Sequence, residues 1–203
     1  MRKLQSLMIG LSLIWACNNA ETITNELPSG MKEVYQVDEN GLKNGAYKLY
    51  YTDGVLFEES NYHEGKLEGL RKLYYPSGKK EIEEQYKNDT IIGTYKMFHK
   101  NGQLKLVGEY EKGVMKGIWK SYYENGILKE EVSFKENLEN GPFTEYYETG
   151  KIKAKGQYAA GENEQGTLFL YDSTGQVERV MDCDTGICRT KWTPDSTFAM
   201  PTE

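Results

Sequence analysis

Two histidines, three cysteines and one Asp-Thr-Gly triplet are the residues of this 203-residue chain whose types suit chemistry at neutral pH. Nucleophilic catalysis needs a nucleophile beside a base, with a third group orienting the base. His63 stands next to Glu64 in a polar stretch and reads as solvated, while His99 takes a position that elsewhere carries tyrosine. No His/Cys cluster has the ligand spacing of a zinc site. Asp184-Thr185-Gly186 could supply a carboxyl group, but that chemistry requires a second carboxyl sharing the proton. Here Gly186 continues a series of regularly spaced glycines, and Cys183 and Cys188 bracket the triplet. The sequence therefore predicts no catalytic residue, no metal site and no cofactor, and a chain that is not an enzyme.

Those residues sit inside a repeat. Gly45, Gly69, Gly93, Gly117 and Gly141 recur every 24 residues, and Gly166 follows one residue late. A second series runs Gly30, Gly54, Gly78, Gly102, Gly126, Gly150 and Gly175, and a third Gly41, Gly65, Asp89, Gly113, Asn137, Gly161 and Gly186. Asp and Asn are the side chains that best tolerate left-handed backbone, so the third series reports a backbone demand. Aromatic columns keep the same period: Tyr50, Tyr74, Phe98, Tyr122, Tyr146 and Tyr171, and beside them Tyr51, Tyr75, His99, Tyr123 and Tyr147. Two more run Tyr47, Arg71, Tyr95, Trp119, Phe143, Leu168 and Tyr62, Tyr86, Tyr110, Phe134, Tyr158, Cys183.

Each unit reads as two strands around Asp-Gly, Ser-Gly, Asn-Gly or Thr-Gly, with period-two alternation sending Tyr47 and Leu49 to one face and Lys48 and Tyr50 to the other. Glycine at this frequency breaks any helix. The expected fold is all-β: an elongated, single-sheet, antiparallel β-hairpin solenoid of about six 24-residue units, with glycines at the bends. The expected domains are residues 1–16 as signal peptide, 17–29 as lipidated cysteine and polar tether, 30–189 as repeats, and 190–203 as C-terminal cap. Within the repeats a half unit spans 30–44, and full units start near 45, 69, 93, 117, 141 and 166. Aromatics at 12% with 16 Tyr exclude a disordered chain, and a net charge of -6 without a basic patch argues against nucleic acid.

The first segment, MRKLQSLMIGLSLIWAC, has a positive start and an apolar run too short to span a bilayer comfortably. Its end resembles the lipobox of bacterial lipoproteins, although Trp15 stands where a small residue is more usual. That resemblance implies cleavage before Cys17, palmitate-type acylation of Cys17, and a Gram-negative cell envelope, the outer membrane in preference to the inner. The alternative is an ordinary secretory signal with an incidental cysteine. Export would leave Cys183 and Cys188 as an even pair in an oxidising compartment, suited to a disulfide across the last hairpin; two free thiols are the other possibility.

The phrase GIWKSYYENGIL at Gly117–Leu128, with YEKGVMKG at Tyr110–Gly117, resembles the bacterial variant of the MORN repeat over roughly Gly30–Gly186. Bacterial proteins of this kind are often grouped with YwqK-type antitoxins, so the resemblance implies protein binding, with a toxin as one conceivable partner; the anchor favours a partner in the envelope. The expected function is a membrane-anchored interaction protein. Tyr95, Trp119, Tyr123 and Tyr147 are the expected binding residues, because large aromatics anchor interfaces. Two alternatives are cell-wall glycan binding on the tyrosines and a purely structural envelope role.

Overall fold

The computed structural model describes residues 20–159, 161 and 163–201. The expected signal peptide and Cys17 lie outside them. The chain forms strands β1 (Glu21–Glu26), β2 (Lys32–Val37), β3 (Lys43–Tyr50), β4 (Leu56–His63), β5 (Lys66–Leu67), β6 (Gly69–Tyr74), β7 (Lys80–Lys87) and β8 (Thr90–Phe98). They continue as β9 (Leu104–Glu111), β10 (Val114–Tyr122), β11 (Leu128–Lys135), β12 (Leu138–Tyr146), β13 (Ile152–Tyr158), β14 (Gly166–Tyr171), β15 (Val177–Asp184) and β16 (Ile187–Trp192). No helix occurs among the described residues. The strands make one open antiparallel sheet in chain order, with β5 pairing β4 beside the main path. At ~4.8 Å per strand the sheet is roughly 65 Å long.

From β3 to β13 two kinds of bend alternate. Thr52–Gly54 is a three-residue loop closed by Tyr51 N–H to Val55 O (2.8 Å) and Gly54 N–H to Tyr51 O (2.9 Å), and the pattern recurs at Gly78, Gly102, Gly126, Gly150 and Gly175. Only the glycine of each has positive φ. The two-residue turns fall at the third series: both central residues are left-handed at Glu64-Gly65, Asn88-Asp89, Lys112-Gly113, Glu136-Asn137 and Thr185-Gly186. Each of these turns also donates a backbone N–H to the preceding repeat, as from Gly113 to Ile91 O at 2.9 Å. Where Asp or Asn replaces glycine, the side chain adds a bond: Asp89 Oδ1 accepts from Leu67 N–H at 2.7 Å and Asn137 Oδ1 from Met115 N–H at 2.8 Å.

The remaining series corrects the expectation that glycines mark bends. Gly45, Gly93, Gly117 and Gly141 lie within strands, and Gly69 and Gly166 open them, all at positive φ. They sit where the register slips between hairpins: Gly108 alone stands between the pairs Lys116↔Glu109 and Lys120↔Val107, opposite Gly117–Trp119. The bulge requires a left-handed residue, and each of these glycines faces a ring or sulfur across the hairpin, from Gly45↔Tyr62 to Gly166↔Cys183.

A second bulge repeats inside six hairpins, between Leu49/Tyr50, Leu73/Tyr74, Met97/Phe98, Ser121/Tyr122, Glu145/Tyr146 and Leu170/Tyr171. The extra residues are Phe57, Glu81, Lys105, Lys129, Lys153 and Glu178.

The register separates the faces. One carries a cross-strand row of Lys48, Glu59, Lys72, Glu83 and Lys96, resumed by Lys120 and Glu131. Ion pairs lace it, such as Lys72–Glu59 at 2.6 Å. The other face carries the core, in which Trp119, Val132, Phe143, Ala154, Leu168 and Cys183 are buried. Near the C-terminus a second cluster of Phe169, Tyr171 and Val180, with Trp192 against it, lies on the charged row's face.

Two expected boundaries shift. Residues 21–26, read as tether, form β1, because ETITNE alternates and pairs with β2 from Glu21↔Val37 to Glu26↔Lys32. Residues 190–192, read as cap, complete β16, and the tail beyond folds back so that Trp192 Nε1–H reaches Phe198 O at 3.2 Å. Cys183 and Cys188 face each other across β15 and β16 as a disulfide, with Cα atoms 4.0 Å apart.

Candidate binding surface

Four aromatic residues are expected to face a partner; the structure buries Trp119, packs Tyr95 beside it, ties Tyr123 and Tyr147 to backbone, and leaves Tyr123 lining a groove. Trp119 is 2% exposed. Its indole lies between Tyr110 at 5.3 Å, Tyr95 at 5.8 Å and Phe134 at 5.9 Å, and it covers Gly108, leaving no ring face to offer. The correction has a simple cause: on a one-layer sheet the largest ring is the cheapest way to bury apolar surface. Tyr95 is half-buried beside it, its hydroxyl pushed up to about 12 by burial and then by Glu84. Trp119 cannot anchor a partner without leaving its neighbours.

Tyr123 and Tyr147 belong to a column that stitches repeats together. Tyr51, Tyr75, Tyr123 and Tyr147 each donate from Oη to a backbone oxygen in the next hairpin: Tyr74 (2.9 Å), Phe98 (2.7 Å), Tyr146 (2.8 Å) and Tyr171 (2.7 Å). At His99 the imidazole does the same job, with Nε2 2.8 Å from Tyr122 O, so Nε2 carries the proton. The acceptors end the first strand of each hairpin, beside the bulge that interrupts the ladder. Hydroxyl and imidazole here satisfy backbone, as buried carbonyls require. We expect Tyr123→Phe to cost about 1 kcal/mol in urea unfolding, the net worth of one such bond, and His99→Tyr to leave stability nearly unchanged.

Arg71 interrupts the column of rings. Its guanidinium makes a two-point contact with Glu58 (2.8 and 3.0 Å) and a third bond to Glu84 (2.7 Å). Ser60 Oγ and Tyr86 Oη donate to the same carboxylates at 3.2 and 3.0 Å. At the N-terminal end Lys43 Nζ sits 4.2 Å from the Tyr47 ring centre and 4.6 Å from that of Tyr35. Neither charged group follows from a period of aromatics, although Arg71 standing in a ring column is the sequence signal for one of them.

What stays open is a groove of about 550 Å³ between neighbouring hairpins on the aromatic face. Met97 and Leu106 line it with His99, Tyr123, Lys105 and Lys129, and Glu124 and Glu148 complete its wall. The bulge places the two lysines here; simple alternation from Leu106 and Glu130 would send them to the charged face. The next bulge residue behaves alike, Lys153 Nζ reaching Glu145 at 2.8 Å, opposite the core residue Ala154. Ser121 Oγ, also in the groove wall, is buried and has no hydrogen-bond partner among the described residues.

Glu130 lies opposite Ser121 on one side and Glu145 on the other. Burial and then the Glu145 charge raise its carboxyl above the ordinary value. A raised folded-state value means that the folded chain holds this proton more tightly. Stability from it is present below the unfolded value and is lost as pH rises through the folded one. Glu130→Gln should therefore stabilise the chain at neutral pH, with the gain vanishing in acid; thermal melts of both forms from pH 3 to pH 7 measure it.

The protease-like triplet resolves as the last two-residue turn, with Thr185 and Gly186 both left-handed. His63 is exposed, its Nδ1 3.3 Å from Asn44 Oδ1. Among the described residues no group of three or more His, Cys, Asp or Glu side chains could hold a metal.

A family model described as a MORN repeat variant matches residues 43–64, 67–88, 92–112, 115–136 and 139–160. No curated protein matches the chain.

Proposed function

From the premise that this chain belongs to the MORN repeat variant family, we propose that it is a non-catalytic interaction protein that binds another protein along its sheet. The single observation carrying this reading is where the polar side chains go. Tyrosines, His99, Arg71 and the turn residues are spent on joining repeats, and the surface left over is a long, regular face with a groove bordered by Lys105 and Lys129. Repeat sheets offer extended surfaces of this kind.

The reading includes a tether. Acylation of Cys17 would hold the chain at a membrane, with only residues 18–20 between the lipid and β1. Labelling cells with an alkyne fatty acid should mark the chain and fail to mark Cys17→Ser; equal labelling of both would sink the anchor. Crosslinking in intact envelopes, followed by purification, should recover one dominant protein, and recovery of none would sink the interaction role. The antitoxin-like role that the repeat resemblance implies is one form of this activity, and a toxin as the crosslinked protein would identify it. Glycan binding draws less support, since sugar stacking needs open ring faces and the central rings cover one another.

A further inference from the structure

The bulge residues one repeat apart read Phe57, Glu81, Lys105, Lys129, Lys153 and Glu178. Three consecutive lysines thus stand on the aromatic side of a chain whose net charge is -6. Lys153 is neutralised by Glu145. Lys105 has no ion pair among the described residues, and Lys129 only approaches the Tyr123 ring, 6.0 Å from its centre. On the opposite face the lysines at positions 72, 96 and 120 are each matched with a glutamate. Two exposed, unmatched cations thus border a groove floored by Met97 and Leu106, with the orphan Ser121 hydroxyl in its wall.

We propose that this groove binds an extended, acidic polypeptide segment of a partner protein, a reading that rests on the interaction role above. Acidic side chains would meet Lys105 and Lys129, which lie one repeat apart, or ~10 Å for two strand spacings. That distance matches about three residues of extended chain. An apolar side chain between them would cover Met97 and Leu106, and a peptide N–H or side chain would satisfy Ser121 Oγ. Glu124 and Glu148, exposed in the turns at the rim, would turn away a segment acidic throughout and select one with spaced acids. A polysaccharide fits less well, because Lys129 lies over the Tyr123 ring. A second groove, at the N-terminal end and on the Lys48 face, is lined by Lys32, Val34 and Tyr50 among others and has no bulge lysine.

The test is fluorescence anisotropy of the full chain with a labelled (Glu-Gly-Leu)4 peptide, its lysine counterpart (Lys-Gly-Leu)4, and polygalacturonate as competitor. The acidic peptide should bind, and added salt should weaken it as screening shortens the reach of the charges. Lys105→Glu with Lys129→Glu should lower affinity by about tenfold or more, whereas Lys66→Glu with Lys87→Glu, exposed elsewhere, should leave it unchanged. Equal melting temperatures of the two double variants would exclude unfolding as the cause. Absence of binding, an unchanged affinity in the groove variant, or displacement by polygalacturonate in preference to the acidic peptide would each overturn the proposal. If the crosslinked envelope partner is still captured by the groove variant, the interaction role stands and this site falls.

Discussion

Replacing Arg71 with methionine should remove about 3–5 kcal/mol of stability, the usual penalty for stranding a buried carboxylate. Glu58 and Glu84 are only 7% and 6% exposed, and the guanidinium gives each its charged partner. Methionine keeps most of the volume and none of the charge, so the loss would be electrostatic and not a cavity. Single domains hold about 5–15 kcal/mol in total, so the variant should be half unfolded well below the parent's midpoint. A urea titration followed by circular dichroism measures this. The repeat also supplies a rescue. Two repeats on, the equivalent positions are Leu106, Gly108, Trp119 and Val132, an apolar layer. Glu58→Leu, Ser60→Gly, Arg71→Trp and Glu84→Val together should restore the parent's stability or exceed it, since apolar replacement of a whole buried ion network is often neutral or favourable. A quadruple variant no better than Arg71→Met would refute the equivalence of the layers.

Gly108→Ala should cost about 1–3 kcal/mol, and more if the sheet cannot yield, because it overpacks the core. A Cβ there would lie 2.0–2.6 Å from Cδ2, Cε2 and Cε3 of Trp119. The indole cannot swing away without displacing Tyr95, Tyr110 or Phe134. This glycine has ordinary φ, so the demand is space alone. Shortening the ring should relieve the clash: Gly108→Ala with Trp119→Leu should be less destabilised than the sum of the singles, with a coupling of about 0.5–3 kcal/mol. Strict additivity would show that the two residues do not touch. Gly156 beneath Phe143 is a milder case, with ring atoms Cε1 and Cζ at 2.7 and 2.9 Å.

The pairing of ring over glycine also shows how the fold could be read early and the surface could not. Strand count, strand order and the open hairpin sheet follow from a period of 24, alternation, and left-handed residues at fixed offsets. All of these are local. The turn types were not legible: Asp-Gly and Asn-Gly close three-residue loops, while the two-residue turns use pairs as unlike as Lys112-Gly113 and Glu136-Asn137. Both loops accept these sequences, so the choice depends on how the flanking strands twist and pair. Trp119 falls outside any open surface for a related reason: it is the most interface-like residue type, yet a sheet with one layer has no second layer to cover it and uses the ring itself.

The chain's sequence by itself determined a ribbon of about six hairpins with rings in columns, because period and alternation act through neighbours in the chain. Its glycine series foretold left-handed backbone, but not that one series would lie inside strands. Only the tertiary structure decided which face each bulge residue meets. A bulge adds one residue to a strand, and that single step reverses the side on which Lys105 and Lys129 emerge. Their charge was written in the sequence; their convergence on one groove exists only once neighbouring hairpins are in register.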